Sequence, residues 1–149
     1  MLHTSVSPEE QALTLAQYRQ RVEEVLRAYP FIVARDAAGT VLGFAYLAAF
    51  NPRSAYRRSA DLSIYVRADC LYAHVGSLLL MHIEGLARAQ GIANIISIIT
   101  GSSERSCAFH EKNGFVLEGV RFYRKKYNGK SIGLPKLLWR PDFFIFFLK

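Results

Sequence analysis

Between Asp61 and Gln90 the apolar positions change from a two-residue to a helical repeat. In DLSIYV, Leu62, Ile64 and Val66 fall on one face and Asp61, Ser63 and Tyr65 on the other, as in a strand. From Val75 onward, Val75, Leu78, Leu79, Ile83, Leu86 and Ala87 recur at helical spacing, which predicts a helix to about Gln90. A strand that feeds a loop opening a helix leaves amides without partners at the positive end of the helix dipole. Such a turn suits a phosphate-bearing ligand.

The flanking segments follow the same logic. Ser7-Pro8-Glu9-Glu10 has the makings of a helix start, and Leu13, Leu15, Tyr18, Val22, Val25 and Leu26 carry the helix to about Ala28. Tyr29-Pro30 ends it, because proline disfavours helical backbone in the residue before it. Phe31–Arg35 and Val41–Ala48 read as a hairpin around the turn Asp36–Thr40, and Phe50–Ser59 as a basic loop. Ile92–Ile99 is a buried-looking strand, Gly101–Glu104 a polar turn, and Arg105–Asn113 a helix closed by Gly114. Phe115–Arg121 and Lys136–Leu148 add strands, with Arg124–Lys130 as a basic hairpin turn. The FFIFFL stretch reads as a covered strand or an interface, since exposed it would aggregate. Two strand–helix–strand crossovers in a hairpin-linked sheet predict a mixed α/β (α+β) fold.

With 149 residues, 51% of them hydrophobic, the chain fits one domain over residues 1–149. No apolar run has the length of a membrane span, and the N-terminus lacks a secretion pattern. Cys70 and Cys107 make neither a disulfide framework nor a metal site, so no metal and a reducing, cytoplasmic setting are expected. The net charge of +7 favours a polyanionic partner. Tyr72, Tyr123 and Tyr127 offer stacking surfaces for a nucleic acid, but no RNA or DNA motif accompanies them. The expected partner is therefore a small molecule, with neither nucleic acid nor membrane.

Several strings then point to a family. Tyr29-Pro30-Phe31-Ile32-Val33-Ala34, Gly43-Phe44-Ala45-Tyr46, Arg53-Ser54-Ala55-Tyr56 and Ile64-Tyr65-Val66 occur in matching order. The strongest is Ser106-x-x-x-His110-Glu111-Lys112-Asn113-Gly114-Phe115. On these, the chain resembles the GNAT superfamily of acyl-CoA N-acyltransferases, and within it the phosphinothricin acetyltransferase group, from Tyr29 to about Trp139.

The resemblance implies an N-acetyltransferase that moves an acetyl group from acetyl-CoA directly to the amine of a small amino-acid-like substrate. It implies that Ile64, Tyr65 and Val66 pair with the pantetheine arm and that amides of Tyr72, Ala73, His74, Val75, Gly76 and Ser77 hold the diphosphate. Asp61 stands where the group has its general-base glutamate, His110 matches the motif histidine near the thiolate, Ser106 matches a serine near the cofactor while Ser103 replaces an asparagine there, and Arg53 and Tyr56 match the acceptor-side loop.

Each residue has a second reading. Asp61 could pair with Arg57 or Arg58, Ser103 is better read as a helix cap, Arg53 and Tyr56 could lie in a solvated basic loop, and Cys70 could be reactive or inert. The phosphate loop departs from the family's Q/R-x-x-G-x-G/A: Leu71 replaces the polar residue and His74 the first glycine. The family's first strand and helix have no counterpart before Pro8. That leaves a sheet edge for a partner subunit to cover, so a homodimer is expected. These departures keep open an alternative, a degenerate family member acting as an acyl-CoA or partner-binding module with little or no catalysis.

Overall fold

The computed structural model describes residues 13–71, 74–100, 103–121, 126–127, 130–131 and 143–148. They form two compact units, one running through Ile96 and the other from Ser97 onward.

The first unit opens with helix α1, Leu15–Leu26. Thr14 caps it: its hydroxyl accepts from the Gln17 amide at 3.3 Å while the Gln17 side chain accepts from the Thr14 amide at 2.9 Å. This reciprocal box satisfies two donors at once. It corrects the expected start at Pro8; Ser7 and Pro8 lie outside the described residues. Tyr18, Val22 and Val25 form the half-buried stripe of α1, which packs on β1 and β2.

Strands β1 (Phe31–Arg35) and β2 (Val41–Ala49) make the expected hairpin. Its turn is fixed by Asp36, whose carboxylate accepts from the Thr40 amide at 2.8 Å. Strand β3 runs from Ser59 to Val66, two residues earlier than expected, and pairs antiparallel with β2 along its length. The basic loop before it contains a single 3-10 turn, Ser54–Tyr56.

Helix α2, Val75–Ala89, covers one face of this sheet. Val75, Leu79, Leu80, Ile83 and Ala87 are buried, whereas Leu78 and Leu86, expected inside, are 52% and 42% exposed. The buried stripe is thus rotated toward Leu80. Val75 and Leu79 cluster with Ala45, and Ile64 and Val66 pack against them. Gly43 permits that close approach: a Cβ there would sit 2.6 Å from the Tyr65 carbonyl oxygen and 3.2 Å from Leu79 Cδ1.

The opposite face carries a row of rings. Phe31 stacks on Tyr46 at 5.2 Å and on Phe44 at 5.7 Å, and Phe44 meets Tyr65 at 5.1 Å. Helix α2 ends in a Schellman turn, with Gly91 at φ 77° and the Ile92 amide bonded to the Ala87 carbonyl. That turn places the start of β4 (Asn94–Thr100) parallel to β3, pairing Asn94–Ile96 with Ser59–Asp61.

In the second unit, the rest of β4 precedes helix α3 (Glu104–Lys112) and strand β5 (Val116–Arg121). A small hairpin follows, β6 (Lys126–Tyr127) with β7 (Lys130–Ser131), and then β8 (Phe143–Leu148). Strand β8 pairs antiparallel with β5, with a bulge between Leu117 and Gly119. The expected strand from Lys136 thus begins at Phe143, and residues 136–142 lie outside the described residues.

Candidate active site

Asp61 is the third residue of β3, opposite Ala48 of β2 and Ile96 of β4. It therefore lies within the sheet rather than at the strand's mouth. Burial pushes its carboxyl up to about 6, opposed only by a backbone hydrogen bond at Leu62. The pairing with Arg57 or Arg58 is absent among the described residues. Arg58 instead donates from Nε to the Gly91 carbonyl at 3.4 Å, and both arginines are exposed. A half-buried carboxylate without a cation is costly to ionise and correspondingly eager for a proton near neutrality.

Five residues beyond Asp61, β3 ends and the chain turns toward α2. Ile64 and Val66 face the core under α2, and Tyr65 faces the aromatic row. Arg67 and Asp69 form an ion pair in the linking turn, and the Cys70 thiol is raised by desolvation and then by the Asp69 carboxylate. That removes the reactive-thiol reading, because a raised pKa leaves little thiolate.

Tyr72 and Ala73 lie outside the described residues. His74 follows as the N-cap of α2, in the left-handed region at φ 57° and ψ 12°, and is the only non-glycine residue with positive φ among those described. It adopts the backbone that glycine would supply. The substitution therefore keeps a glycine-like turn rather than reshaping it. The His74 side chain is exposed and makes no capping bond, so the first amides of α2 are offered no side-chain acceptor by the cap. Gly76 and Ser77 lie half-buried in that first turn, and Val75 is buried.

Arg53 precedes the 3-10 turn and donates its amide to the Asn51 side chain at 3.0 Å, while its guanidinium is exposed. Tyr56 is 41% exposed, and its ring meets Phe50 edge-on at 5.9 Å. Both sit in the loop that leads into β3, in the same unit as Asp61 and His74.

His110, Ser103 and Ser106 belong to the second unit. His110 is 1% exposed. Its Nδ1 donates to the Ser106 carbonyl at 2.7 Å, so its Nε2 accepts from the Ser97 hydroxyl at 2.8 Å. Phe115 packs edge-on against the ring at 4.8 Å and Phe109 at 5.3 Å. Burial lowers its pKa, partly offset by the Ser106 bond. The imidazole is thus buried with both nitrogens engaged by Ser97 and Ser106, the arrangement of a structural histidine.

The motif itself is a helix ending. Gly114 has φ 87°, its amide bonds to the Glu111 carbonyl, and the Phe115 amide to the His110 carbonyl. Ser103 is the N-cap of α3 but makes no side-chain capping bond, against the capping expectation. Ser97 was missed from sequence, and its one signal is a lone hydroxyl inside the apolar run NIISIIT.

Residues 2–133 match the profile of the acetyltransferase (GNAT) domain. The chain belongs to that family. Among relatives, it is 36% identical over 93 residues to the L-methionine sulfoximine/L-methionine sulfone acetyltransferase of Pseudomonas paraeruginosa. That match covers 62% of this chain and 54% of the relative. It is 35% identical over 111 residues to the phosphinothricin N-acetyltransferase of Alcaligenes faecalis, covering 70% of this chain and 53% of that protein. The chain thus spans about half the length of these curated relatives.

Among solved structures, it matches a GNAT superfamily phosphinothricin acetyltransferase from Sinorhizobium meliloti in complex with AcCoA. The TM-score is 0.84 at 28% identity, covering 99% of this chain and 75% of that one. The family's mixed α/β fold is the one expected from the sequence.

Proposed function

We propose that this GNAT-family chain is an N-acetyltransferase that transfers the acetyl group of acetyl-CoA directly to the amine of a small amino-acid-like substrate. The observation that carries the reading is Asp61, a half-buried carboxylate raised to about 6 with no cation beside it among the described residues. An amine reaches a thioester protonated and must lose a proton to become a nucleophile. Asp61 accepts it, directly or through one water, at any pH above about 6.

Acetyl-CoA, as co-substrate, supplies the activated acyl group. The β3 edge not used by β2 along Ile64, Tyr65 and Val66 offers backbone partners to an extended pantetheine arm. The amides from His74 to Ser77, with the helix dipole behind them, offer a seat for the diphosphate. Arg53, whose guanidinium is exposed, takes a substrate carboxylate in a bidentate fork, with Tyr56 alongside. Cys70 and Cys107 both have raised pKa values, which argues for transfer without an acyl-cysteine. His110 and Ser106 hold α3 in register as positioning residues, and Ser103 begins that helix.

The relatives' names suggest phosphinothricin and methionine sulfoximine as first acceptors to assay. Acetylation of either should rise with pH through a single step near 6. Asp61→Asn should lower kcat/KM by about 100-fold or more, the usual worth of a general base. A loss of less than a few-fold would remove Asp61 from the mechanism. No acetylation of either compound, or of a panel of small amino acids, would refute the reading.

A further inference from the structure

Asp61 is flanked by two strands that are held unequally. Strand β2 pairs with β3 from Gly43–Val66 to Ala49–Ala60, whereas β4 pairs with it at three positions among the described residues. Parallel pairs are also slightly weaker per residue than antiparallel ones. The β2 flank is therefore firm, and the β4 flank depends on few bonds. A slip of β4 by one residue would exchange the side chain that stands beside Asp61.

A clamp sits at the head of that short ladder. The Arg58 carbonyl accepts from the Ala93 amide at 2.8 Å and from the Asn94 amide at 3.1 Å. Arg58 Nε reaches the Gly91 carbonyl at 3.4 Å, which ties the turn leaving α2 to the same residue. Between the strands themselves, Asn94 Nδ2 donates to the Ser59 hydroxyl at 3.3 Å, and both residues are half-buried. Ser59 and Asn94 are direct partners in the ladder. Slipped by one, Asn94 would face Ala60 and lose that acceptor.

We propose that Ser59 and Asn94 are a positioning pair for Asp61: their side-chain bond locks β4 in the register that stands Ile96 beside the carboxylate and keeps that flank dry. Ile96 is 1% exposed, and Ala48, the partner on the β2 side, is equally apolar. The polar groups on the same sheet face are Ser63 on β3 and the Tyr46 phenol on β2. In the preceding loop Arg57 and Arg58 are exposed, and Arg58 is turned to Gly91. The pair thus controls wetting rather than a neighbouring charge. Loosening β4 lets water reach Asp61, and a wetter carboxylate is a weaker base. The kinetic consequence rests on the acetyl-transfer reading, but the effect on the carboxylate does not.

The first test needs no turnover. The rise in melting temperature that Asp61→Asn confers, followed from pH 4 to pH 8, reports the proton affinity of the carboxylate. In a chain that also carries Asn94→Ala, or Ser59→Ala at the other end of the bond, that rise should level off about one pH unit lower and reach about half its height. Ser59→Thr keeps the hydroxyl in a strand-compatible residue and should behave as wild type. In acetylation assays the same alanine variants should show the pH step lowered by the same amount. Their kcat above it should fall about three- to ten-fold, with the KM for acetyl-CoA unchanged. Alanine variants that melt at lower temperature but leave the Asp61→Asn gain at its full height and pH would have lost only structure, and would overturn the proposal. A wild type that acetylates nothing would refute the acetyl-transfer reading instead, and the melting comparison would still decide the role of the pair.

Discussion

His74 occupies a backbone region that costs an L-residue about 1–2 kcal/mol, and it does so at the cap of α2. His74→Gly removes that strain but adds freedom to the unfolded chain, which offsets about 0.4–1 kcal/mol. The net expectation is a gain of about 0.5–1 kcal/mol, read as a higher denaturation midpoint in urea. Asp61 poses the reverse problem. Its folded pKa, about 6, lies above its ordinary value of 3.8, so the folded state binds the proton more tightly. The resulting penalty is full above pH 6 and fades as pH falls toward 3.8. Asp61→Asn should accordingly stabilise the chain at pH 8, on the order of 1–3 kcal/mol, and hardly at all at pH 4. Thermal melts at both values check this; an equal shift at both would contradict the pKa assignment.

At the scale of elements, each unit has a Schellman turn that ends a helix and starts a strand, and the first unit has one tight glycine. Gly43→Ala would drive a methyl into the Tyr65 carbonyl, a contact that β3 cannot relieve without shifting. The cost should be about 1–3 kcal/mol, measured as a lower melting temperature. In the second unit, Ser97→Ala leaves His110 Nε2 buried without the hydroxyl it accepts from. That should cost about 1–3 kcal/mol at neutral pH, on a background stability that falls in acid. The sign follows from His110: its folded pKa is lowered below 6.5, so its contribution is full above that pH and is lost below it.

These elements were legible to different degrees. The hairpin, β3, α2 and Gly114 followed from period and punctuation, because each has a local physical cause. The α1 start did not, since Thr14 and Gln17 form a complete box, whereas Ser7-Pro8 earlier in the chain offered only favourable residue types. The surroundings of His110 were not legible, because a motif reports a requirement without saying which one. Here it is the packing of an imidazole against the phenylalanine that closes its own helix. The loss of the Asp61–arginine pair was invisible as well, since Arg58 finds its acceptor thirty-three residues away.

At the scale of the whole molecule, the net charge of +7 gives a basic chain suited to a ligand bearing several phosphates. In the proposed function, the amides from His74 onward supply the local donors that such a ligand needs. The β3–α2 turn's one departure from a glycine-lined loop, His74, retains the glycine backbone. The account therefore turns on whether acetyl-CoA binds there. Titration calorimetry of the full chain with acetyl-CoA is the most direct test. The account predicts saturable binding in the micromolar range, weakened by added salt as diphosphate contacts are screened. No heat, together with no thermal shift at millimolar acetyl-CoA, would contradict it.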